Sequence, residues 1–239
     1  MVSVKEKLRF LENGVDFPFY NGNPKLSNAE WLIFPIAIIL MIGSMFWIPL
    51  PGQYFPIVFA ILAIVPALYL CKGDYGLFFK KPRLRDFLTI ILCWFGYYVW
   101  VVLMSVVLGS LGYEMSVNAV AMTYSNPSMF LIISDVIQLI GEEFLKIFVL
   151  LFVLYLVYKL TGNRGIALGV GIIISLLVFG LMHVGSYDSK ILQIILIQGL
   201  GSIFCLYPYL KTKNVVVSYL LHLLVDFTSF AMVFVSALH

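Results

Sequence analysis

The chain contains 239 residues, of which 62% are apolar and only 11% are charged, and its net charge is +3. Soluble domains contain about 45–50% apolar and about 25% charged residues, so this composition excludes an ordinary soluble enzyme. The excess of basic residues is also too small for a nucleic-acid-binding surface. We therefore interpret the chain as a membrane protein and expect lipid, but no nucleic acid, around it.

Seven apolar runs of membrane-spanning length follow an N-terminal segment, residues 1–29. In this segment Val4, Leu8 and Leu11 recur at helical spacing among charged residues, which is consistent with a short interfacial helix. The runs predict an all-α polytopic protein with about seven transmembrane helices in one domain, residues 30–239. They cover residues 30–48, 53–71, 87–110, 129–158, 165–184, 191–210 and 214–237.

The basic residues predict the orientation of these helices independently. With the N-terminus inside, thirteen of the fifteen Lys and Arg residues fall in inner segments, whereas only Lys190 lies outside and Lys146 lies within a run. The thirteen are Lys5, Lys7, Arg9, Lys25, Lys72, Lys80, Lys81, Arg83, Arg85, Lys159, Arg164, Lys211 and Lys213. Because basic loops stay inside, we expect a cytoplasmic N-terminus and an external C-terminus.

The fourth run carries ionisable residues that a transmembrane helix normally lacks. One stripe of this helix contains Asp135, Gln138, Glu142 and Lys146, with Glu143 beside it. A charged residue near a helix centre costs roughly 2.5–3.5 kcal/mol on insertion, whereas each large apolar residue returns only about 0.3–0.6 kcal/mol. Such residues usually face an interior polar cavity and mark a functional site. A buried ion pair that only fixes helix register would explain one glutamate, but not two.

Two histidines in later runs extend this pattern. His183 closes the fifth run, and His222 precedes Asp226 by one turn in the seventh, close enough for the carboxylate to fix the imidazole tautomer. At 1.5 Å per residue, Glu142 and His183 lie about 26 Å from the inner ends of their runs, but His222 lies only about 12 Å from its own. Straight helices would therefore keep His222 apart, unless the seventh helix tilts or begins below the surface.

Two carboxylates and two imidazoles within a membrane are suited to hydrolysis of a peptide bond. That reaction needs a base for water, a group that stabilises the oxyanion and an acid for the leaving amine. The zinc-dependent, serine and aspartyl types of intramembrane protease use the motifs H-E-x-x-H, G-x-S-G and G-x-G-D, and the sequence contains none of them.

Three short motifs on separate runs resemble those of the CAAX-protease and bacteriocin-processing (CPBP, or Abi) family of intramembrane endopeptidases. In chain order they are Glu142-Glu143, Phe179-x-x-x-His183 and His222-x-x-x-Asp226, within a core of residues 128–237. The first motif departs from the family's usual E-E-x-x-x-R, because it reads E-E-x-x-K and Ile147 stands in place of the arginine. The E-E-x-x-K form resembles the related PrsW-type proteases. Many members also have Asn where this chain has Asp226.

The resemblance implies a role for each residue in these motifs. Glu142 would be the general base, and Glu143 would be the partner of Lys146. His183 would help to hold the water, and His222 with Asp226 would bind or polarise the carbonyl oxygen, while Phe179 supports the site. The implied substrate is a peptide or membrane protein, and the implied location is the cell membrane of a bacterium.

Metal dependence and catalytic activity both remain open at this point. The resemblance slightly favours activation of water without a metal, although His183, His222 and Glu142 would also suit Zn²⁺. A non-catalytic membrane protein, such as a bacteriocin-immunity or partner-binding factor, would fit the same residues. A third alternative is a transporter that uses Glu142, Glu143 and Lys146 as a proton or ion relay.

The orientation can be tested by cysteine labelling in a background that lacks Cys71, Cys93 and Cys205. A cysteine that replaces Met115 should react with a membrane-impermeant maleimide added outside intact cells, because the basic loops hold the other face inside. A cysteine that replaces Lys80 should react only after permeabilisation. The opposite labelling pattern would mean that the orientation is inverted.

Overall fold

The computed structural model describes residues 15–47 and 54–238, and these ranges contain helices and turns but no β-strand. Every predicted apolar run corresponds to helical structure, so the all-α class is confirmed. The helices are α1 (Asn28–Trp31), α2 (Ile33–Phe46), α3 (Phe55–Cys71), α4 (Leu84–Ser110), α5 (Ala119–Met122), α6 (Met129–Thr161), α7 (Arg164–Leu181), α8 (Ile191–Gln193), α9 (Ile203–Thr212) and α10 (Val215–Ala237). A π-helix, Ile194–Gly199, and a 3₁₀ turn, Leu200–Ser202, join α8 to α9.

Six helical segments of the described chain are long and apolar enough to cross a membrane. They are Asn28–Phe46, Leu84–Ser110, Met129–Thr161, Arg164–Leu181, Ile191–Thr212 and Val215–Ala237. The remaining predicted run, residues 53–71, forms α3, an apolar helix of 17 residues that lies at the lower limit of spanning length. These segments confirm a polytopic membrane protein. The orientation of the termini stays a prediction, and Val4, Leu8, Leu11 and His239 lie outside the described residues.

Helix α6 is the central element of the bundle. Its 33 residues extend for roughly 50 Å, so it is longer than the hydrocarbon core of a bilayer. It packs against α2, α3, α7 and α10, and every residue from 141 to 151 is buried. A helix that is buried on all sides needs apolar residues all round, which explains why this run lacks an amphipathic pattern. Asp135, Glu142, Glu143 and Lys146 therefore lie inside the protein, whereas Lys159 near the end of the helix is exposed.

Small residues let α7 approach α6 closely. A Cβ atom on Gly171 would lie 3.1 Å from the carbonyl oxygen of Leu150, and the Ser175 hydroxyl donates a 2.7 Å hydrogen bond to the carbonyl of Lys146. The Gly171-x-x-x-Ser175 pair thus lies at the close contact between the two helices. Gly169 has no neighbour that a Cβ would meet within 4 Å, so the preceding Gly165-x-x-x-Gly169 pair does not serve the same purpose.

The start of α10 lies below the surface of the protein, beneath a neighbouring loop. Asn214, which caps α10, is only 2% exposed, and its side chain exchanges hydrogen bonds of 3.0 and 2.8 Å with the backbone of Lys80. The backbone N–H of Val215 donates to the carbonyl of Phe78 at 2.8 Å. The basic loop that contains Lys80 therefore covers this end of α10. As a result, His222 lies deeper than a count from the surface suggests.

Residues 15–27 are fastened to the start of α7. Asp16 accepts hydrogen bonds from Arg164 at 2.7 and 3.0 Å and from the Tyr20 hydroxyl at 2.8 Å. Burial alone would raise the pKa of Asp16, but the hydrogen bonds from Arg164 and Tyr20 outweigh it and hold the pKa below its ordinary value. This carboxylate therefore stays ionised and ties the N-terminal segment to the bundle.

Candidate active site

His222 is the point at which the predicted site residues meet. Its Nδ1 atom lies 2.8 Å from Oε1 of Glu143, although the N–H is not aligned as a hydrogen bond. Its Nε2 atom lies 3.9 Å from Oε2 of Glu142 and 3.7 Å from Oδ1 of Asp226. Of the two conditions under which His222 would reach this depth, the structure meets the second, because α10 starts below the surface. The contact between His222 and Asp226 is longer than a hydrogen bond, so it is electrostatic.

Glu143 and Lys146 form an ion pair that is completely buried. The Lys146 Nζ atom lies 2.5 Å from Oε1 of Glu143, and both side chains are 0% exposed. The ammonium group also lies 4.4 Å from the centre of the Phe179 ring, a cation–π contact. Neither residue of the pair lines the two cavities that border Glu142 and His222. The pair therefore acts on the site through Oε1, which faces both Lys146 and His222.

Glu142 is the glutamate that faces a cavity. Its Oε1 atom accepts a 2.8 Å hydrogen bond from the amide of Gln138, one turn earlier on α6. Its Oε2 atom faces His222. Because α6 presents Glu142 and Glu143 on adjacent faces, the two carboxylates have different surroundings. One is paired with a cation in the core, and the other borders an open space.

His183 stands just beyond the end of α7 and faces the same space. Its Nδ1 atom lies 2.9 Å from the carbonyl oxygen of Phe179. A carbonyl can only accept, so Nδ1 carries the proton and Nε2 of the neutral ring is left as an acceptor. The Phe179 ring lies between the two histidines, with centroid distances of 4.8 Å to His183 and 5.8 Å to His222. This packing holds both imidazoles in place.

Two small cavities flank these residues. The first, here called the glutamate cavity, has a volume of about 70 Å³ and is lined by Asp135, Gln138 and Glu142 among others. The second, here called the histidine cavity, has a volume of about 100 Å³ and is lined by His222 with several uncharged polar residues. Both cavities share four lining residues, which are Asn118, His183, Asp226 and Phe230. Candidate groups from three helices thus border one divided space.

A segment between α4 and α6 covers this space, and sequence reasoning missed its part in the site. The Asn118 amide donates to the hydroxyl of Tyr187 at 3.1 Å, and the Tyr124 hydroxyl donates to Asp135. The Tyr124 ring also stacks on Phe230 at a centroid distance of 4.0 Å. Burial raises the pKa of Tyr187 above its ordinary value, so its phenol stays neutral.

The donor atoms do not form a metal site as arranged. Across residues 15–47 and 54–238, no group of three His, Cys, Asp or Glu side chains is positioned to hold a metal ion. Of the candidate Zn²⁺ ligands His183, His222 and Glu142, both histidines have Nδ1 directed toward another group, a carbonyl for His183 and Glu143 for His222, so only their Nε2 atoms could coordinate a metal. We therefore derive no step of the chemistry through a metal.

The comparison with known proteins supports the family predicted from the three motifs. The model of the family "Type II CAAX prenyl endopeptidase Rce1-like" matches residues 124–228. This segment contains all three motifs and most of the lining of both cavities, so the predicted resemblance to the CPBP family is confirmed, and with it the broad class of a membrane protease. No curated protein and no solved structure matches the chain.

The buried ion pair generates a prediction about stability. Lys146→Met removes the partner of a fully buried carboxylate and should cost about 3–5 kcal/mol of unfolding free energy. The Tm of the purified protein in detergent should fall by on the order of 10 °C, measured by intrinsic fluorescence. Lys159→Met, at the exposed end of the same helix, is the matched control and should leave Tm nearly unchanged.

The double variant Lys146→Met with Glu143→Gln tests the cause of this loss. Because no unpaired charge remains, it should regain much of the lost stability. A double variant that is less stable than Lys146→Met alone would contradict this account of the pair.

Proposed function

We propose that the protein is an intramembrane endopeptidase that hydrolyses a peptide bond of a membrane-associated peptide or protein, in the cell membrane of a bacterium. The observation that carries this proposal is the meeting of Glu142, His183, His222 and Asp226 around a divided polar space inside a membrane protein. The family match supports the reaction class.

Glu142 is the proposed general base. Gln138 occupies Oε1 of its carboxylate, so Oε2 is the oxygen that is left to take a proton. A water molecule in the glutamate cavity would lie beside this oxygen, and Nε2 of His183 would accept its second hydrogen bond. The water would donate one hydrogen to Glu142 and the other to His183. Because both hydrogens are then directed to these acceptors, an oxygen lone pair points away from them, toward a bound carbonyl carbon.

The reaction proceeds by addition and elimination. The water oxygen bonds to the carbonyl carbon while its proton moves to Oε2 of Glu142. The carbonyl electrons become an oxyanion, which His222 stabilises as a donor. The C–N bond then breaks as Glu142 returns the proton to the nitrogen, which leaves a carboxylic acid and an amine. The base is thereby restored, and no metal is required.

The charges around His222 favour its action as a cation. Its ring lies within 4 Å of carboxylate oxygens from Glu142, Glu143 and Asp226, and Lys146 is the other cation of the group. A protonated His222 and Lys146 together carry two positive charges against the three negative charges of these carboxylates. The net charge of the group is then −1, whereas a neutral His222 would leave it at −2. A charged donor forms a stronger hydrogen bond to an oxyanion than a neutral one does.

The buried pair argues against the transporter alternative. A relay needs groups that exchange protons or ions with a water-filled path. Glu143 and Lys146 are sealed in the core and paired with each other, and they border neither cavity. The non-catalytic alternative requires a direct test.

The first test is removal of the proposed base. Glu142→Gln keeps the shape of the side chain, but an amide cannot take a proton from water. Cleavage of a peptide library by the purified protein should fall by about 10²–10⁴-fold, with an unchanged elution volume and Tm. Glu114→Gln makes the same chemical change at an exposed position of an outer loop and should retain full activity.

The same preparations separate the alternatives. Wild-type protein that cleaves nothing, together with a Glu142→Gln variant that keeps its biological function, would favour the immunity or partner-binding factor. For the metal question we expect substoichiometric zinc in active protein and no loss of activity to a chelator. Stoichiometric zinc, with activity lost to a chelator and restored by zinc, would replace the metal-free mechanism.

A second prediction concerns Asp226. If Asp226 is ionised and holds His222 as a cation, Asp226→Asn removes a charged partner and should lower kcat/KM by about 10–100-fold. His222→Ala should be at least as damaging. If Asp226 is instead protonated and donates directly to the oxyanion, an Asn amide supplies the same donor and Asp226→Asn should be nearly silent. The pH–rate profiles of both variants distinguish these cases, and full activity of Asp226→Asn would defeat our choice.

A further inference from the structure

The polar side chains around the histidine cavity fall into two groups. Some already take part in hydrogen bonds within the protein, because the Ser202 hydroxyl donates to the carbonyl of Gly199 at 2.7 Å and the Tyr187 hydroxyl accepts from Asn118 at 3.1 Å. Gln198 and Tyr97 also line this cavity, but neither side chain makes a hydrogen bond to any residue that the structure describes. Their hydrogen-bonding groups are thus available to an occupant.

Unpaired polar groups at this depth are costly. Gln198 belongs to the membrane-spanning segment Ile191–Thr212, and Tyr97 belongs to Leu84–Ser110. A glutamine amide within a membrane loses its water and normally recovers hydrogen bonds from neighbouring helices. An apolar residue at position 198 would avoid this cost. Polar residues kept in a membrane span next to a cavity mark a place where a ligand binds.

The backbone around Gln198 has an unusual conformation, which contacts with neighbouring helices hold in place. Gln198 lies in the π-helix, and single π-turns occur frequently at functional sites. The indole of Trp100 donates to the carbonyl of Leu196 at 2.9 Å. A Cβ atom on Gly180 would lie only 2.7 Å from the Cα atom of Gly199, so α7 and the π-helix touch through their backbones. The wall that carries Gln198 is therefore rigid.

We propose that Gln198, assisted by Tyr97, binds the backbone of the substrate next to the peptide bond that is cleaved. An amide side chain presents a donor and an acceptor side by side, and a peptide unit presents the complementary pair. His222 and Asp226 border the same cavity, so a peptide unit held by Gln198 lies beside them. This inference rests on the proposed endopeptidase function.

The proposed contact defines a class of ligand. In a helix, the backbone N–H and C=O groups are already paired with each other, so they cannot bind Gln198. The ligand must therefore be an extended or unwound peptide segment. Recognition through the backbone is independent of side-chain identity, and the cavity wall formed by Gln198, Tyr97 and Tyr187 carries no charge.

Binding can be measured separately from cleavage. The full-length protein in lipid nanodiscs would be mixed with a fluorescein-labelled peptide of alternating alanine and glycine, with lysines at both ends. An ester scan of this peptide replaces one amide at a time by an ester, which removes a single N–H and weakens the neighbouring carbonyl as an acceptor. Fluorescence anisotropy gives Kd for each peptide with wild-type protein and with Gln198→Met, which is nearly isosteric but has no amide.

We expect esters at one or two adjacent positions to raise the Kd of wild-type protein about five- to tenfold. Gln198→Met should raise the Kd of the parent peptide about tenfold and should be insensitive to esters at those same positions. Esters elsewhere in the peptide are the matched control and should leave both proteins unaffected. An unchanged Tm of Gln198→Met excludes loss of fold as the cause.

The outcomes separate this inference from the proposed function. Coupled effects of the variant and the ester support the contact between Gln198 and a peptide backbone, whether or not the peptide is cleaved. Coupled binding without cleavage of any peptide would overturn the endopeptidase function alone. Independent effects of Gln198→Met and the esters would overturn the role of Gln198 alone. If wild-type protein neither binds nor cleaves peptide, both are wrong.

Discussion

The buried carboxylate of Glu143 is the group on which the arrangement of this site depends. One of its oxygens contacts Lys146 on the same helix and His222 on α10, in a place that water does not reach. An ionised carboxylate there requires cationic partners, because desolvation of an isolated charge would exceed what packing returns. The attraction between the Glu143 carboxylate and His222 thus stabilises the packing of α10 against α6 at the level of the site. Phe179 brings α7 to the same point through its contact with the Lys146 ammonium.

The apolar packing serves this electrostatic centre. Helix α6 is buried on all sides around Glu143, which keeps the local dielectric low and strengthens each charge contact. Gly171 and Ser175 allow α7 to lie close to α6, so His183 is carried to the end of the cavity that Glu142 borders. Because the helices touch through small residues, the candidate groups have little freedom to move apart. Such preorganisation is what stabilisation of a developing charge requires.

Much of this arrangement was predictable from the sequence, for a physical reason. Charged residues are so costly in a membrane that the presence of Glu142, Glu143 and Lys146 in an apolar run predicts an interior site from the sequence alone. The depth of His222 was not predictable, because it depends on the burial of Asn214 beneath a loop that lies far away in the chain. The contact between Glu143 and His222 was missed for the same reason, because it depends on that depth. From the sequence alone, the partner expected for His222 was Asp226, which lies one turn away on the same helix.

The uncharged part of the site was harder still to predict. Asn118 lies in a polar loop like many others, and only the tertiary structure brings it to Tyr187. Gln198 could have been noticed, since it is a polar residue inside an apolar run, but its position on a cavity wall depends on the π-helix.

The two cavities suggest why the site combines charged and neutral walls. Activation of water needs a carboxylate that can take and return a proton, and the glutamate cavity concentrates such groups. A peptide backbone is neutral, and a wall that carried further charges would hold water too firmly for a neutral ligand to displace it. Under the proposed function, the carboxylates Asp135 and Glu142 on one cavity would act on water, while the uncharged Gln198 and Tyr97 on the other would bind a neutral chain. His183 and Asp226, which border both cavities, stand where the two requirements meet.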